Sequence, residues 1–175
     1  MGMPNIEQIG TYVKAVPFDQ YGPTYVVTFT AVSVSAAQDA FELNVGSTVK
    51  SARLREVRLS QYSDAGDAAA EMISVQIIKG YSVSGSVGTS ATPVPLDPRA
   101  PAATSTAEVN NTTVANTGTP LTLHSDTFNV QGGFLYQPGP SDRIKLLASD
   151  RLVVRITAPA DALTMNGTLI FEERV

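Results

Sequence analysis

Apolar and polar residues alternate along most of the chain that follows residue 23. In Tyr25–Ala31, apolar side chains fall on one face and two threonines on the other, which is the pattern of a half-buried β-strand. The same two-residue period recurs in Phe41–Val45, Ile73–Ile77 and Leu152–Ile156. Asp67–Met72 is the one helix-like stretch, and it is too short to stand alone. The whole pattern predicts about eight to ten strands separated by Gly, Pro, Asn and Asp.

These strands predict an all-β fold, an antiparallel β-sandwich of jelly-roll type, because strands without alternating helices pack as two sheets. An up-and-down barrel is the alternative. Residues 24–175 are predicted to form a single domain, and residues 1–23 an extended N-terminal arm whose prolines disfavour helix. Apolar residues change phase between Leu54 and Val57, which predicts a β-bulge near Arg55 and Glu56. The in-phase positions predict a core formed by Val27, Phe29, Phe41, Leu43, Ile73, Val75, Ile77, Leu152, Val154, Ile156, Leu169 and Phe171.

A long polar insertion, Tyr81–Pro120, interrupts the strand pattern. It contains no Ile, Phe, Met or Trp, and its charged residues are Asp97, Arg99 and Glu108. Such a segment buries too little apolar surface to offset the entropy lost when it becomes ordered. We therefore expect it to lie on an outside surface or to remain mobile, and to act as a contact element.

Composition narrows the function classes. The net charge is −4, and the charged fraction of 16% lies below the usual quarter. A negative chain argues against nucleic-acid binding, which needs a basic footprint. Cysteine is absent, so there is no disulfide framework or thiolate metal site. Neither a signal peptide nor an apolar run of membrane-spanning length is visible, which predicts a soluble protein made in the cytoplasm, with no membrane partner.

Residues that could carry chemistry are few. His124 is the single histidine, and no Gly-x-Ser-x-Gly motif accompanies it, so we expect no enzyme and no cofactor. Asp64 and Asp67 place two carboxylates in one turn, which suits either a Ca²⁺ ion or a cap on the following alanines.

Two groups of residues are candidates for protein contact. Arg53, Arg55 and Arg58 form a basic strip, either a solvated or salt-bridged sheet face or a docking site for an acidic partner. The N-terminal arm carries apolar residues that show no strand period, a feature of interaction surfaces. These apolar anchors are Ile6, Ile9, Tyr12, Val13, Phe18 and Tyr21.

Several blocks of sequence, in this order, resemble a family of small proteins from tailed bacteriophages and prophages. They extend from about Tyr25 to the end of the chain, whereas the arm does not match. The blocks are VSVSAAQDAFE (32–42), LSQYSDAGDAAAEM (59–72), TPVPLD (92–97), EVNNTT (108–113), FNVQGG (128–133) and LTMNGTLIFEE (163–173).

The resemblance implies a virion structural protein, most plausibly a jelly-roll cement (decoration) protein that binds the outer face of the major capsid protein. It also implies a homotrimer on the virion surface, with a dimer as the alternative. Other virion positions, such as a head fibre base, tail or baseplate component, stay open. A carbohydrate-binding or hydrolytic jelly-roll module is a further alternative, against which the absence of Trp argues.

Overall fold

The computed structural model describes residues 22–62 and 71–175. These residues form twelve β-strands and no helix, so none of the described chain has the long apolar helix that a membrane span needs. Most of the helix-like stretch lies outside the described residues, and its last residue, Met72, begins a strand. The strands are β1 (Thr24–Val34), β2 (Gln38–Asn44), β3 (Ser51–Gln61), β4 (Met72–Val83), β5 (Thr89–Ala91), β6 (Val94–Pro95), β7 (Thr106–Asn111), β8 (Asn116–Asn129), β9 (Phe134–Tyr136), β10 (Lys145–Leu146), β11 (Arg151–Ile156) and β12 (Leu163–Arg174).

Two antiparallel sheets pack face to face, which confirms the predicted β-sandwich and excludes the barrel. Sheet A has the order β10-β3-β12-β1-β6, with β9 on the same edge of β3 as β10. Sheet B has the order β5-β7-β2-β11-β4-β8. The main pairs are nested along the chain: β4 with β8, β3 with β9 and β10, β2 with β11, and β1 with β12.

The core lies between the two sheets. All twelve residues predicted for it are buried, which confirms the faces assigned from the alternation. Tyr25 stacks on Phe171 with ring centroids 5.5 Å apart, and Phe29 packs on Phe41 at 5.1 Å. A Cβ at Gly167 would overlap the Phe29 and Phe41 rings, so glycine is required in the middle of β12.

The predicted bulge in β3 is confirmed at Arg55. Leu54 pairs with Phe171 and Glu56 pairs with Ile170, so Arg55 has no partner of its own on β12. The extra residue shifts the alternation of side chains by one position, so both Leu54 and Val57 face the core and are buried.

The expectation that Tyr81–Pro120 remains mobile or needs an outside surface is wrong. This segment forms the end of β4, all of β5, β6 and β7, and the start of β8. It lies on the protein's own sandwich. Ala107 and Val109 join the core, and polar contacts with distant strands hold other parts of the segment.

We expect Phe171→Ala to lower the free energy of unfolding by about 3–5 kcal/mol, because it empties a fully buried site beneath the Tyr25 ring. Leu135→Ala on β9 is the control, since Leu135 is exposed, and it should change stability by less than about 0.5 kcal/mol. Urea unfolding measures both variants. Equal losses in the two would show that the core has been assigned to the wrong face.

Candidate interaction surfaces

The outer face of sheet B carries two acidic residues from β2. The register between β2 and β11 shifts so that Phe41 pairs with Val154 and Asp39 pairs with Arg155, leaving Ala40 without a partner on β11. Because of this irregularity, Ala40 and Phe41 both enter the core. Asp39 and Glu42 contact the polar segment instead.

Asp39 is fully buried and ion-paired to Arg155, whose Nε lies 2.6 Å from Asp39 Oδ1. The backbone N–H of Ala115 donates to Asp39 Oδ2 at 2.6 Å, and Arg155 Nη2 donates to the Ala115 carbonyl at 2.8 Å. Arg155 also hydrogen-bonds the Tyr81 hydroxyl and lies 4.9 Å from the centre of its ring. Burial opposes the charge of Arg155, but Asp39 and Tyr81 outweigh it and raise the pKa of Arg155 above its ordinary value.

Glu42 holds other parts of the same polar segment. It pairs with Arg151 at 2.7 Å, and it accepts hydrogen bonds from the Ser84 hydroxyl at 2.5 Å and the Gly85 backbone N–H at 2.9 Å. The Asn111 side-chain amide donates to Glu42 at 3.2 Å and to Glu108 at 3.0 Å. The polar groups of the segment thus satisfy the hydrogen-bonding capacity of the buried Glu42 carboxylate.

Glu173, near the end of β12, connects the two sheets. Its carboxylate accepts the backbone N–H groups of Thr104 at 2.5 Å and Ser105 at 3.1 Å, where the chain enters β7. Tyr25 donates to the carbonyl of Pro101 at 3.1 Å, and burial together with the charge of Glu173 raises the pKa of that tyrosine. The phenol therefore stays protonated and remains a donor at neutral pH.

A basic groove of about 400 Å³ opens beside β3 and β10. Arg53, Arg143 and Lys145 line it together with Pro140 and Ser141. Arg53 and Lys145 lie directly opposite each other on neighbouring strands.

The sequence-predicted basic strip therefore divides into three different environments. Arg53 lines the groove. Arg55, at the bulge, reaches Glu172 at 3.3 Å and the Thr24 hydroxyl at 3.1 Å. Arg58 pairs with Glu56 at 2.5 Å. Sequence reasoning missed Arg143 and Lys145, which come from a distant part of the chain.

The outer edge of β1 is the second surface that sequence reasoning missed. β1 contains neither a charged residue nor a proline. Among the described residues, β6 pairs with this edge at Tyr25 and Val26 only. Beyond them the edge borders a groove of about 420 Å³ that separates it from β5 and β7, and that is lined by apolar and neutral side chains such as Thr28, Val32 and Val94.

The remaining sequence candidates divide between described and undescribed residues. Asp64 and Asp67 lie outside the described part of the chain, as do the arm residues Ile6, Ile9, Tyr12, Val13, Phe18 and Tyr21. Within 22–62 and 71–175, no three His, Asp or Glu side chains come together in a group that could hold a metal ion. The His124 ring packs against Tyr136 at 4.7 Å and Phe134 at 6.0 Å, which places it where β8 meets β9.

Comparisons of the chain with protein-family models, with curated proteins and with solved structures found no match.

We expect Asp39→Ala to lower the free energy of unfolding by about 3 kcal/mol, because it leaves the partly buried Arg155 charge and the buried Ala115 N–H without their acceptor. Asp126→Ala is the matched control, since Asp126 is exposed and, among the described contacts, its carboxylate accepts only the backbone N–H of Thr127. Chemical denaturation gives the stability, and hydrogen exchange at the Ala115 amide gives the local effect. Unchanged protection of that amide would refute the anchoring role of Asp39.

Proposed function

We propose that this protein is a bacteriophage virion structural protein, a cement protein that binds the outer face of the major capsid shell and stabilises it. The observation that carries the proposal is the uncharged edge of β1. Proteins that work alone protect such edges with charges, prolines, bulges or a covering segment, because a free edge invites pairing with another chain. Thr24–Val34 has neither charge nor proline, and among the described residues its protection is limited to β6 at Tyr25 and Val26 and to the irregularity between Phe29 and Val32. This edge therefore suits a protein that functions within an assembly.

The resemblance to phage proteins supports the same proposal. Its blocks contain the residues that hold the sandwich together, including Asp39, Glu42, Asn111 and Glu173. The nested pairing supports the jelly-roll assignment. When β9 and β10 are taken as one interrupted strand, the orders β1-β12-β3-β9/β10 and β2-β11-β4-β8 are those of a long hairpin wrapped into two sheets.

The proposal includes a homotrimer in which the β1 edge and its groove accept a neighbouring copy of the chain. Neutral side chains such as Thr28 and Thr30 cost little to desolvate, and the strand edge offers backbone hydrogen bonds. Three copies around one axis would each contribute one contact point to the shell. Attachment then becomes firm through effective concentration, without a strong single contact.

We expect Thr28→Lys to convert the trimer into monomers, because the lysine charge would have to be buried in the subunit contact. Thr122→Lys is the matched control, since Thr122 is also exposed and lies on β8, the edge strand of sheet B. Light scattering measures the mass of each variant. A trimer that survives Thr28→Lys would place the subunit contact elsewhere, and a wild-type monomer at micromolar concentration would contradict self-assembly in the absence of the shell.

The N-terminal arm is proposed to grip the shell through its apolar anchors. We expect deletion of residues 1–21 to leave the melting temperature nearly unchanged, because the described strands and their core begin after Pro23. The same deletion should abolish co-sedimentation with heads that lack this protein. A second variant keeps the arm's length and replaces Ile6, Ile9, Tyr12, Phe18 and Tyr21 with serine.

These two variants separate apolar anchoring by the arm from an effect of arm length alone. Loss of binding in both supports apolar anchoring, whereas loss in the deletion alone would show that arm length matters and the anchors do not. Full binding by the deletion variant would eliminate the arm as the anchor. A large fall in melting temperature would assign the arm to the core instead.

A further inference from the structure

Val87, in the loop between β4 and β5, combines an unfavourable backbone with an unburied side chain. Its φ angle is 63°, in the left-handed region. A side chain branched at Cβ is costly in that region, whereas glycine and asparagine adopt it more easily. The side chain is 75% exposed, the largest exposed fraction among the large apolar residues that the structure describes. Val87 therefore adds strain to the molecule and contributes little burial in return.

The surrounding chain holds Val87 in this conformation. On one side, Ser86 and Thr113 exchange backbone hydrogen bonds of 2.8 and 3.1 Å. On the other side, Gly88 lies so close to Asn111 that a Cβ at position 88 would overlap the Asn111 side chain. Strained backbone persists only where neighbouring contacts fix it, and such positions are concentrated at functional sites. The valine side chain is thus presented to the exterior on a fixed support.

The fold itself does not require a valine at this position. Backbone atoms of Ser86 and Thr113 make the hydrogen bonds beside it, so another residue at position 87 would keep them. Val87 is also absent from the buried core cluster. An asparagine or glycine would relieve the strain without removing any of these contacts. The use of the valine side chain consequently lies outside its own molecule.

The surface next to Val87 is uncharged and continuous with the groove beside β1. No residue of the stretch 82–96 carries a charge. Val87 lies two residues before Thr89, which begins β5 and lines the groove. Val94, on the other side of β5, also lines the groove and is 56% exposed. Two exposed valines therefore flank a neutral groove, and depletion of charge is typical of the central part of a protein interface.

We propose that Val87 is a contact residue of the subunit interface, where its side chain packs against a second copy of the chain. The inference rests on the proposed homotrimer, and it adds a specific side chain to the contact made by the β1 edge. Continuity with the groove favours a second copy as the occupant. Because the support of Val87 is already ordered, association loses little conformational entropy there. Burial of the valine then favours assembly through the hydrophobic effect.

Val87→Asn is the decisive variant, because it should affect the monomer and the assembly in different ways. In the monomeric Thr28→Lys background, the melting temperature should stay level or rise, since asparagine tolerates the left-handed backbone. In the otherwise unchanged chain, the concentration at which half of the chains are trimeric should rise by about tenfold or more. Light scattering over a dilution series measures this concentration. A lower melting temperature of the monomer together with unchanged assembly would show that Val87 serves its own fold.

Thr117→Asn is the matched control for the relief of strain. Thr117 is also branched at Cβ and exposed, and its φ angle is 59°. It lies on β8, at the opposite edge of sheet B from β5. This variant should assemble like the wild type. Equal weakening of assembly by the two variants would attribute the effect to backbone relaxation and overturn a contact role for Val87.

Thiol accessibility provides a second, independent measurement. The chain contains no cysteine, so Val87→Cys introduces a single thiol. Its alkylation should be slower by about tenfold or more in the trimer than in monomers obtained by dilution, because a central contact residue is shielded from solvent. Ser149→Cys is the control, since Ser149 is exposed and lies in the turn between β10 and β11. It should react equally fast in both states, and equal rates for Val87→Cys as well would overturn the inference.

The outcomes distinguish this inference from the proposed homotrimer. A wild-type monomer at all concentrations would overturn the homotrimer and this inference with it. A wild-type trimer that Val87→Asn leaves intact would overturn this inference alone. A Val87→Asn variant that remains trimeric but no longer co-sediments with heads that lack this protein would assign the residue to the shell and overturn the choice of a second copy.

Discussion

The structure depends on buried carboxylates that accept backbone N–H groups from segments with little apolar surface of their own. Asp39 holds Ala115, Glu42 holds Gly85, and Glu173 holds Thr104 and Ser105. A buried carboxylate is stable only when it is paired and hydrogen-bonded. Arg155 and Arg151 neutralise the first two, and the backbone of the polar segment supplies donors to all three. Each group therefore needs the other: the carboxylates need the segment to complete their bonding, and the segment needs them to become ordered.

Glu71 extends this principle to a different connection. Its carboxylate accepts the backbone N–H groups of Ala160 and Asp161, which precede β12. In each case a charged side chain at a strand or its end fixes a chain segment that is distant in sequence. The apolar core stabilises the two sheets, and these polar anchors determine where the connecting segments lie.

The distribution of charged residues between the interior and the surface differs from strand to strand. The chain has few charges, and several of them are buried in these networks. Arg53, Arg143 and Lys145 line a groove beside β10. β1 has no charged residue, and among the described residues β6 covers its outer edge at Tyr25 and Val26 only. The edge of β1 that is proposed for contact is therefore neutral and offers strand-edge hydrogen bonds.

The sequence by itself determined the strand faces, the buried core and the bulge at Arg55, because each follows from the alternation of neighbouring side chains. It did not determine whether Tyr81–Pro120 is ordered or where this segment lies. Local composition indicates that this segment has little to bury, and it contains no signal that Asp39, Glu42 and Glu173 lie beneath it. Only the tertiary structure brings Arg53 together with Arg143 and Lys145, since the pairing of β3 with β10 joins distant parts of the chain. Short-range periodicity therefore fixed which side of each strand faces the core, whereas long-range polar pairing fixed the order of the segments and the charge of the surface.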